Sequence, residues 1–442
     1  MTKEEIIKLV EQERVNFIHL QFTDILGMMK NISIPVTQLE KALNGELMFD
    51  GSSIEGFVRI EESDMYLKPD LDTFMILPWE SPVSDGKSAR LICDVYTSDE
   101  EPFIGCPRYI LRRALQEAEK MGFSMQVGPE PEFFLFRLDQ EGRATLEAND
   151  KGSYFDLPPI DRGEEARRDM VETLQKLGFE VEASHHECAP GQHEIDFKYT
   201  DALCTADNIV TFRMVVRKVA QLHGMHATFM PKPIYGIAGS GMHVHVSLFK
   251  DGKNAFYDAD DEHGLSDICR QFIAGVLSHA KGMSAITNPI VNSYKRLVPG
   301  YEAPVYIAWS HKNRSPLVRI PSRRGIGTRI EIRNPDPACN PYLGLTAILA
   351  AGLDGIRQGL ACQPAVEQNI YEMDLAARRL HGINSLPENL YEAINELMAD
   401  QIICDAIGPH IRERFVQAKM LEWEEYSSRI YDWEIEQYLE KF

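Results

Sequence analysis

Hydrophobic and polar positions alternate in short segments over the first hundred residues. The pattern predicts one amphipathic helix over residues 3–13. It also predicts short strands, at residues 17–22, 31–35, 74–77 and 89–95. One helix combined with several short strands is typical of a small α+β domain.

A group of helix- and strand-breaking residues follows and predicts a domain boundary. Pro102, Gly105 and Pro107 interrupt regular structure, so we assign residues 1–102 to a first domain and 103–442 to a second. In the second domain the pattern alternates between the two kinds of element. It predicts strands at 126–127, 132–137, 194–198, 242–248 and 328–333, and helices at 108–121, 165–177, 206–223 and 265–286.

Two long segments between these elements, 138–160 and 290–325, are expected to be loops, which in a compact domain are usually functional or disordered. Beyond residue 341 the pattern is mainly helical. The most apolar stretch, Leu343 to Leu353, is too short to span a bilayer and is interpreted as a buried helix. The charged first residues do not form a secretory signal peptide.

Charge and cysteine content narrow the class of protein. The chain has 46 basic and 67 acidic residues, a formal net charge of −21. This argues against a nucleic-acid binder and against binding to anionic membranes, since both need clustered Lys and Arg. Eight scattered cysteines without a C-x-x-C pair indicate reduced thiols and a cytoplasmic protein.

Two motifs concentrate carboxylates. In Gly128–Phe136, Glu130 and Glu132 are two apart on a predicted strand, so they point to the same face just before an apolar run. Buried like charges are costly unless a cation joins them. The second motif, His185–Asp196, contributes Glu187 and Glu194, with Glu182 upstream. It is rich in His but lacks the H-E-x-x-H helix pattern of zinc enzymes.

Two further motifs add nitrogen ligands and cations. His243, His245 and Ser247 alternate onto one strand face after glycines that permit close approach of a substrate. Arg329, Glu331 and Arg333 share one face of a strand whose isoleucines face the core. A surface strand with salt bridges is an equally good interpretation of this last motif taken by itself.

Together the motifs describe an oxygen-rich site of five glutamates and one histidine, which favours Mg²⁺ or Mn²⁺ over zinc. Two divalent ions leave such a site at about −1, so binding of an anionic substrate requires cationic side chains. These are available within a 38-residue stretch: Arg296, Arg314, Arg319, Arg323, Arg324, Arg329 and Arg333. Since the chain has no Walker A motif, a nucleotide would bind through metals and arginines.

Several motifs, in order along the whole chain, resemble those of type I glutamine synthetases. They are Phe49–Ile54, Gly128–Phe134, Asn292–Leu297 and Asn334–Asp336, together with the ligand motifs above. The resemblance implies an α+β fold in which an N-terminal β-grasp-like domain precedes a large C-terminal catalytic α/β domain. It also implies a cytoplasmic dodecamer of two hexameric rings, with active sites between neighbouring subunits.

The resemblance assigns roles to individual residues. One metal would be held by Glu132, Glu187 and Glu194, and another by Glu130, His243 and Glu331, with two or three Mg²⁺ or Mn²⁺ ions per site. ATP would lie near Glu182, Tyr199, His245, Ser247, Arg314 and Arg329, with Arg319 facing the transferred phosphoryl group. L-Glutamate would bind by Gly239, Arg296, Glu302 and Arg333. Asp50, of the adjacent protomer, and Tyr154 would serve ammonium, and Glu302 would close as a flap.

The implied reaction has two steps. The γ-carboxylate of glutamate attacks the γ-phosphate of ATP to give γ-glutamyl phosphate, and ammonia then displaces phosphate to give L-glutamine, a reaction of nitrogen assimilation. Metals and arginines offset the phosphoryl charge, and a flap excludes water from the acyl phosphate. An anionic Asp50–Glu302 subsite favours NH₄⁺ and can accept its proton.

Departures from the family pattern refine the assignment. Ala238 stands where the family has Asn, and Ile326 where some members have an ATP-site Lys, for which Arg324 is a substitute. The insertion of the adenylylated subclass is missing, so we expect Tyr371 to be unmodified. The shorter subclass is inhibited by glutamine, with Arg59 as a candidate mediator; a surface salt bridge is the competing interpretation of Arg59.

Two other functions stay open at this point. A related ligase could join glutamate to another amine, such as a polyamine, although Asp50 and Tyr154 favour ammonium. A non-catalytic regulatory relative would have lost metal ligands, and all six are present. Partner binding, for example to a nitrogen-regulatory transcription factor, can coexist with catalysis.

Overall fold

The computed structural model describes residues 1–54, 56, 64–79, 86–301 and 303–442. Within these residues the helices and strands are organised around two β-sheets. No helix in this part of the chain is long and apolar enough to cross a membrane.

The first sheet is formed by the N-terminal residues, with strand order β2-β1-β6-β4-β3 and β5 paired to β6. Strands β1 and β6 are parallel, and the other pairs are antiparallel. Helix α1 buries Ile6 and Val10 and begins with a capping box between Thr2 and Glu5. The elements are α1 (Lys3–Gln12), β1 (Val15–Thr23), β2 (Met29–Pro35), α2 (Leu39–Leu43), β3 (Leu47–Asp50), β4 (Asp64–Pro69), β5 (Met75–Ile76) and β6 (Lys87–Thr97).

The second sheet follows the order β18-β15-β16-β17-β13-β7-β10-β9, with β8, β11 and β12 paired to β7 and β14 paired to β13. Among its pairs only β15 and β16 are parallel in the described residues. The strands are β7 (Ser124–Leu138), β8 (Ala144–Ala148), β9 (Val181–His186), β10 (Gln192–Phe197), β11 (Thr200–Asp201), β12 (Met225–Thr228), β13 (Met242–Lys250), β14 (Lys253–Asn254), β15 (Tyr306–Ser310), β16 (Pro316–Arg319), β17 (Ile330–Ile332) and β18 (Asn384–Ser385).

Helices pack against this sheet and bury its apolar face. Helix α9 contains the predicted buried stretch; Asn340 caps its first turn and Gly359, at φ 60°, ends it. The helices are α3 (Pro107–Lys120), α4 (Glu164–Lys176), α5 (Ala202–Leu222), α6 (Asp267–Ser278), α7 (Ala280–Thr287), α8 (Ser293–Arg296), α9 (Pro341–Gln358), α10 (Leu375–Leu380), α11 (Leu390–Ala399), α12 (Gln401–Ile407), α13 (Pro409–Ser427) and α14 (Asp432–Tyr438).

Strand β7 is one continuous strand where the sequence predicted two. Residues 128–131 pair with β13, and Glu132 N–H donates to Gly241 O. The main-chain N–H groups of successive residues in a strand point to opposite edges, so the nitrogens of Pro129 and Pro131 lie on the edge away from β13. On that edge β11 pairs with residues 126–127 and β10 with residues 132–134, and the two prolines lie in the unpaired stretch between them. The prolines therefore cost no ladder hydrogen bond there.

Other expectations were wrong in detail. The single helix predicted over 265–286 is two helices, broken at His279, whose ring nitrogens lie 2.8 Å from Asp400 Oδ2 and 3.1 Å from Asp354 Oδ2. The predicted loop 138–160 contains β8, and 290–325 contains α8, β15 and β16. These elements are only four or five residues long, so the local pattern of hydrophobic and polar positions gives little signal for them.

The two sheets are joined by a buried arginine. Arg108, on α3, is 3% exposed and pairs with Asp70 at 2.7 Å, Asp94 at 2.9 Å and Asp207 at 2.8 Å. Asp70 and Asp94 belong to the first sheet region and Asp207 to α5. Arg112 lies 2.6 Å from Asp70 and is more exposed. This network fixes the N-terminal elements against the rest of the chain.

Candidate functional site

The centre of the site is formed where β7, β13 and β17 lie side by side. Glu130 on β7 is opposite His243 on β13, and His245 is opposite Glu331 on β17. Glu130, His243 and Glu331 offer ligand atoms that all lie within 4.8 Å of one another. Nδ1 of His243 is 3.3 Å from Glu130 and 3.7 Å from Glu331. The structure thus brings together the three residues that the resemblance assigns to one metal.

Histidines and cations set the charge of this trio. Burial opposes ionisation of Glu130, but hydrogen bonds from His243 and His245, the latter at 2.6 Å, hold its pKa well below the usual range. Burial and the charge of Arg333 lower the pKa of His243, which favours the neutral imidazole that ligates metals. Glu331 is 2% exposed and pairs with Arg319.

A second carboxylate group lies on the same face of the sheet, toward the opposite edge of β7. Glu132 is opposite Glu194 on β10, and Glu187 follows the end of β9 in the same hairpin. Burial and the charge of Glu187 raise the pKa of Glu132 to about 8. Burial, with Asp196 and Glu132 nearby, raises the pKa of Glu194 to about 12. Buried carboxylates with these shifts must be neutralised by protons or by cations.

The donor set fits divalent metals. Both groups are dominated by carboxylate oxygens with one neutral imidazole, the chemistry preferred by Mg²⁺ and Mn²⁺ and not by zinc. Sequence reasoning missed His185 and Asp196, which together with the predicted ligand Glu194 offer atoms within 4.8 Å of one another. His185 Nε2 lies 2.9 Å from Glu187 Oε1. His185 is two residues before the predicted ligand Glu187, and Asp196 is two residues after Glu194. Since residues two apart in a strand share a face, the sequence could have indicated both.

Gly239 and the buried Arg296 lie next to the second group. Gln192 Nε2 donates to Glu132 Oε2 at 2.8 Å and to Gly239 O at 3.1 Å, a link that sequence reasoning missed. A Cβ at Gly239 would lie 2.3 Å from Pro231 O, so only glycine fits. Arg296 is 3% exposed and donates to the carbonyls of Asn334 and Arg333.

A cavity of about 380 Å³ opens beside the first group. Five predicted ATP-site residues line it: Glu182, Tyr199, His245, Ser247 and Arg329. Arg329 Nε donates to His245 Nδ1 at 3.1 Å. Ile326 and Arg323 also line the cavity, whereas Arg324 donates to the carbonyls of His263 and Pro321. The guanidinium of Arg324 is thus bound to main-chain carbonyls and does not line the cavity, and its substitution for a nucleotide-site lysine stays a prediction.

Of the remaining predicted residues, Tyr154 lies beside the second group, whereas Arg314 and Asp50 join neither group. Arg314 is exposed and does not line the cavity. The ring of Tyr154 lies 5.5 Å from that of His185. Burial raises the pKa of Tyr154, and the charge of Arg314 opposes that rise. Asp50 ends β3 on the first sheet, where its Oδ1 accepts hydrogen bonds from Ser52. Glu302 and Arg59 lie outside the described residues.

Both parts of the chain match known protein domains. Residues 14–98 match the glutamine synthetase β-grasp domain, and residues 104–438 match the glutamine synthetase catalytic domain. The glutamine synthetase of Clostridium saccharobutylicum is 59% identical over 441 residues, covering 100% of this chain and 99% of the relative. That of Thermus thermophilus is 59% identical over 441 residues and 99% of both chains, and one from Staphylococcus aureus is 58% identical over 442 residues, 100% of this chain and 99% of the relative.

Solved structures share the fold. A GmaS/ADP complex has a TM-score of 0.89 at 32% identity, covering 98% of this chain and 99% of that one. Plasmodium falciparum glutamine synthetase has a TM-score of 0.87 at 24% identity, covering 99% of each chain, which shows the fold only.

The chain belongs to the glutamine synthetase family. Within it, the full-length relatives place the chain among the bacterial type I enzymes, which are glutamate–ammonia ligases. The predicted α+β fold, with a β-grasp N-terminal domain and a catalytic domain, is confirmed. Family membership supports ATP-dependent glutamine synthesis and a requirement for divalent metal.

Proposed function

We propose that the chain converts L-glutamate, ammonium and ATP to L-glutamine through γ-glutamyl phosphate, at a site with two metal ions between subunits. The observation that carries this proposal is the pair of carboxylate groups toward the two edges of β7. One lies beside a cavity, and the other lies beside Gly239 and Arg296. Two anionic substrates can meet between these groups, where metals and arginines offset their charge.

Each carboxylate group has its own part. Glu130, His243 and Glu331 would hold one metal next to the nucleotide cavity, and Glu132, Glu187 and Glu194 the other next to the glutamate subsite. Bound metals would polarise the phosphoryl oxygens and neutralise charge during transfer. The ion is Mg²⁺ or Mn²⁺, and a third can be bound with the nucleotide.

The cationic side chains would orient the substrates. Arg296 and Arg333, both buried, suit the carboxylates of glutamate, whose backbone approach is allowed by Gly239. Arg319 is bound to Glu331 and is thereby directed toward the first metal, where the γ-phosphate would lie. Arg329 is held by His245 at the cavity wall and suits the nucleotide phosphates.

Ammonium would be bound in the assembled oligomer. Asp50 belongs to the first sheet, so we propose that it completes the site of a neighbouring protomer in a dodecamer of two hexameric rings. Tyr154 and Glu302 would complete the ammonium subsite, and Glu302 would act as the flap. The exposed apolar residues of α14, among them Trp433 and Ile435, support burial against another subunit.

Regulation and location complete the proposal. We place a domain boundary between residues 102 and 103 and the enzyme in the cytoplasm, where its eight free cysteines stay reduced. Glutamine would inhibit it through Arg59, and a nitrogen-regulatory transcription factor is a candidate partner. Tyr371 is partly buried and donates to Ala303 O, which supports an unmodified tyrosine.

A coupled assay tests the proposed reaction. Purified protein with Mg²⁺, ATP and glutamate should release phosphate when ammonium is added, and glutamine should accumulate and inhibit. Glu302→Ala should keep much of the ATP affinity and lose synthesis. Phosphate release with a polyamine and none with ammonium would instead identify a ligase for another amine.

A further inference from the structure

A buried network of charged side chains lies directly behind the second carboxylate group. It has no part in the reaction as derived so far. Its members are Asp150, Asp161, Arg167, His186 and His193, all buried. His186 and His193 face each other on β9 and β10, with ring centroids 4.9 Å apart. Each immediately precedes a proposed metal ligand, Glu187 or Glu194.

His186 connects the main chain of Glu187 to a fixed acceptor. Its Nδ1 lies 2.7 Å from Glu187 O, which can only accept, so Nδ1 donates. Its Nε2 lies 3.0 Å from Asp150 Oδ1. Glu187 N–H donates to Gln192 O at 2.8 Å, so both main-chain polar groups of Glu187 are held.

Asp150 in turn ties the ring to two segments. Its Oδ1 accepts from Gly152 N–H at 3.1 Å and from Gly191 N–H at 2.9 Å, in the turn of the β9–β10 hairpin. A Cβ at Gly152 would lie 2.5 Å from Nε2 of His186, so the ring fills the space that glycine leaves. The position of the imidazole is therefore set on both sides.

The same side chains could be considered as a further metal site, since Asp150, Asp161, His186 and His193 offer atoms within 4.8 Å of one another. The geometry disfavours this. Arg167 pairs with Asp161 at 2.9 Å and donates to His193 Nδ1 at 2.8 Å, which places a permanent cation in the cluster. Asp150 Oδ1 already accepts hydrogen bonds from the main-chain N–H groups of Gly152 and Gly191.

We propose that His186, held by Asp150, is a positioning residue that fixes the main chain of Glu187 and so directs its carboxylate toward the second metal. This inference rests on the proposed function, in which Glu187 is a metal ligand. Supports of this kind orient ligands in metal sites, and their loss typically costs about 10- to 100-fold in metal affinity.

The test measures Mn²⁺ binding by electron paramagnetic resonance on the intact oligomer, without substrates. We expect His186→Ala to raise the Mn²⁺ dissociation constant about tenfold or more. His186→Asn keeps a donor near the position of Nδ1 and should recover part of the loss. His279→Asn is the matched control, since both ring nitrogens of that histidine are also hydrogen-bonded, in its case to two carboxylates, but it lies outside the site. This variant should lower thermal stability without changing Mn²⁺ affinity.

Glu187→Ala separates the two levels of the proposal. If it leaves Mn²⁺ binding unchanged, the metal assignment itself is wrong. If it weakens binding while His186→Ala stays within about twofold of the wild type, only the positioning role is refuted. Equal weakening by His279→Asn would also refute it, because the effect would then be a general loss of structure. If His186→Ala fails to fold, His186→Asn and Asp150→Asn carry the same comparison, and both must weaken Mn²⁺ binding more than the control.

Discussion

Gln192 connects the second carboxylate group to the main chain of Gly239, and its replacement tests that connection. The side chain is 1% exposed. Its amide donates to Glu132 at 2.8 Å and to Gly239 O at 3.1 Å, and its Oε1 accepts from Ala189 N–H at 3.1 Å. Gln192→Met has nearly the same length and removes all three hydrogen bonds.

The expected cost follows from these partners. A hydrogen bond to a charged group contributes about 1.5 to 3 kcal/mol, and a buried neutral group left unpaired costs about 1 kcal/mol or more. The sum is about 4 kcal/mol, of which about 2 kcal/mol falls on the bond to Glu132. Expressed as lost affinity, 2 kcal/mol corresponds to about 30-fold. The remainder should lower the stability of the β9–β10 hairpin.

The assay is glutamine synthesis with Mg²⁺ and glutamate varied separately, with circular dichroism to monitor unfolding. We expect the half-saturating Mg²⁺ concentration and the glutamate KM to rise together, with a smaller change in the ATP KM. Gln358→Met removes a glutamine–carboxylate bond to Asp354 outside the site and serves as control. Mg²⁺ and glutamate constants that stay at wild-type values in Gln192→Met would refute the reasoning.

Three further outcomes follow from the fold. Arg108→Met should lower the free energy of unfolding by about 3 to 5 kcal/mol and expose the N-terminal sheet to proteolysis. Arg112→Ala, which removes a more exposed pair, should lower it by less than about 1 kcal/mol, and equal losses in the two variants would contradict this. Burial lowers the pKa of His279, but the hydrogen bonds that its ring donates to Asp400 and Asp354 raise the pKa overall. Its stabilisation is therefore complete below about pH 6.5 and is lost as pH rises through the higher folded-state pKa. The difference in melting temperature between the wild type and His279→Asn should shrink at alkaline pH. Gly239→Ala, whose Cβ would meet Pro231 O, should raise the glutamate KM at least tenfold and leave the ATP KM nearly unchanged.

Much of the candidate site could be predicted from the alternation of side chains along strands. Glu130 and Glu132, two apart on β7, both lie at the site, and His243 and His245 share the strand that faces them. These positions were predictable because side chains alternate along a strand. The continuity of β7 could not be predicted from the sequence. It depends on the unpaired edge at Pro129 and Pro131, which exists because β10 and β11 pair with β7 on either side of these residues.

Contacts between distant segments account for the rest. His186 and Asp150 are 36 positions apart, and nothing local in the sequence pairs them. The helix break at His279 depends on Asp354 and Asp400, which arrive from other helices. The commitment of Arg324 to carbonyl groups, with Arg323 at the cavity instead, is likewise decided by tertiary packing and not by residue type.

Strand β7 also limits how this protein can change over time. It carries two of the proposed ligands and is paired along its length with β13, β10, β12, β8 and β11. One inserted or deleted residue would turn every following side chain to the opposite face and shift several pairings together. Variation in this strand is therefore confined to single replacements, while changes of length must accumulate in connecting segments outside the site, such as the exposed turn between β7 and β8.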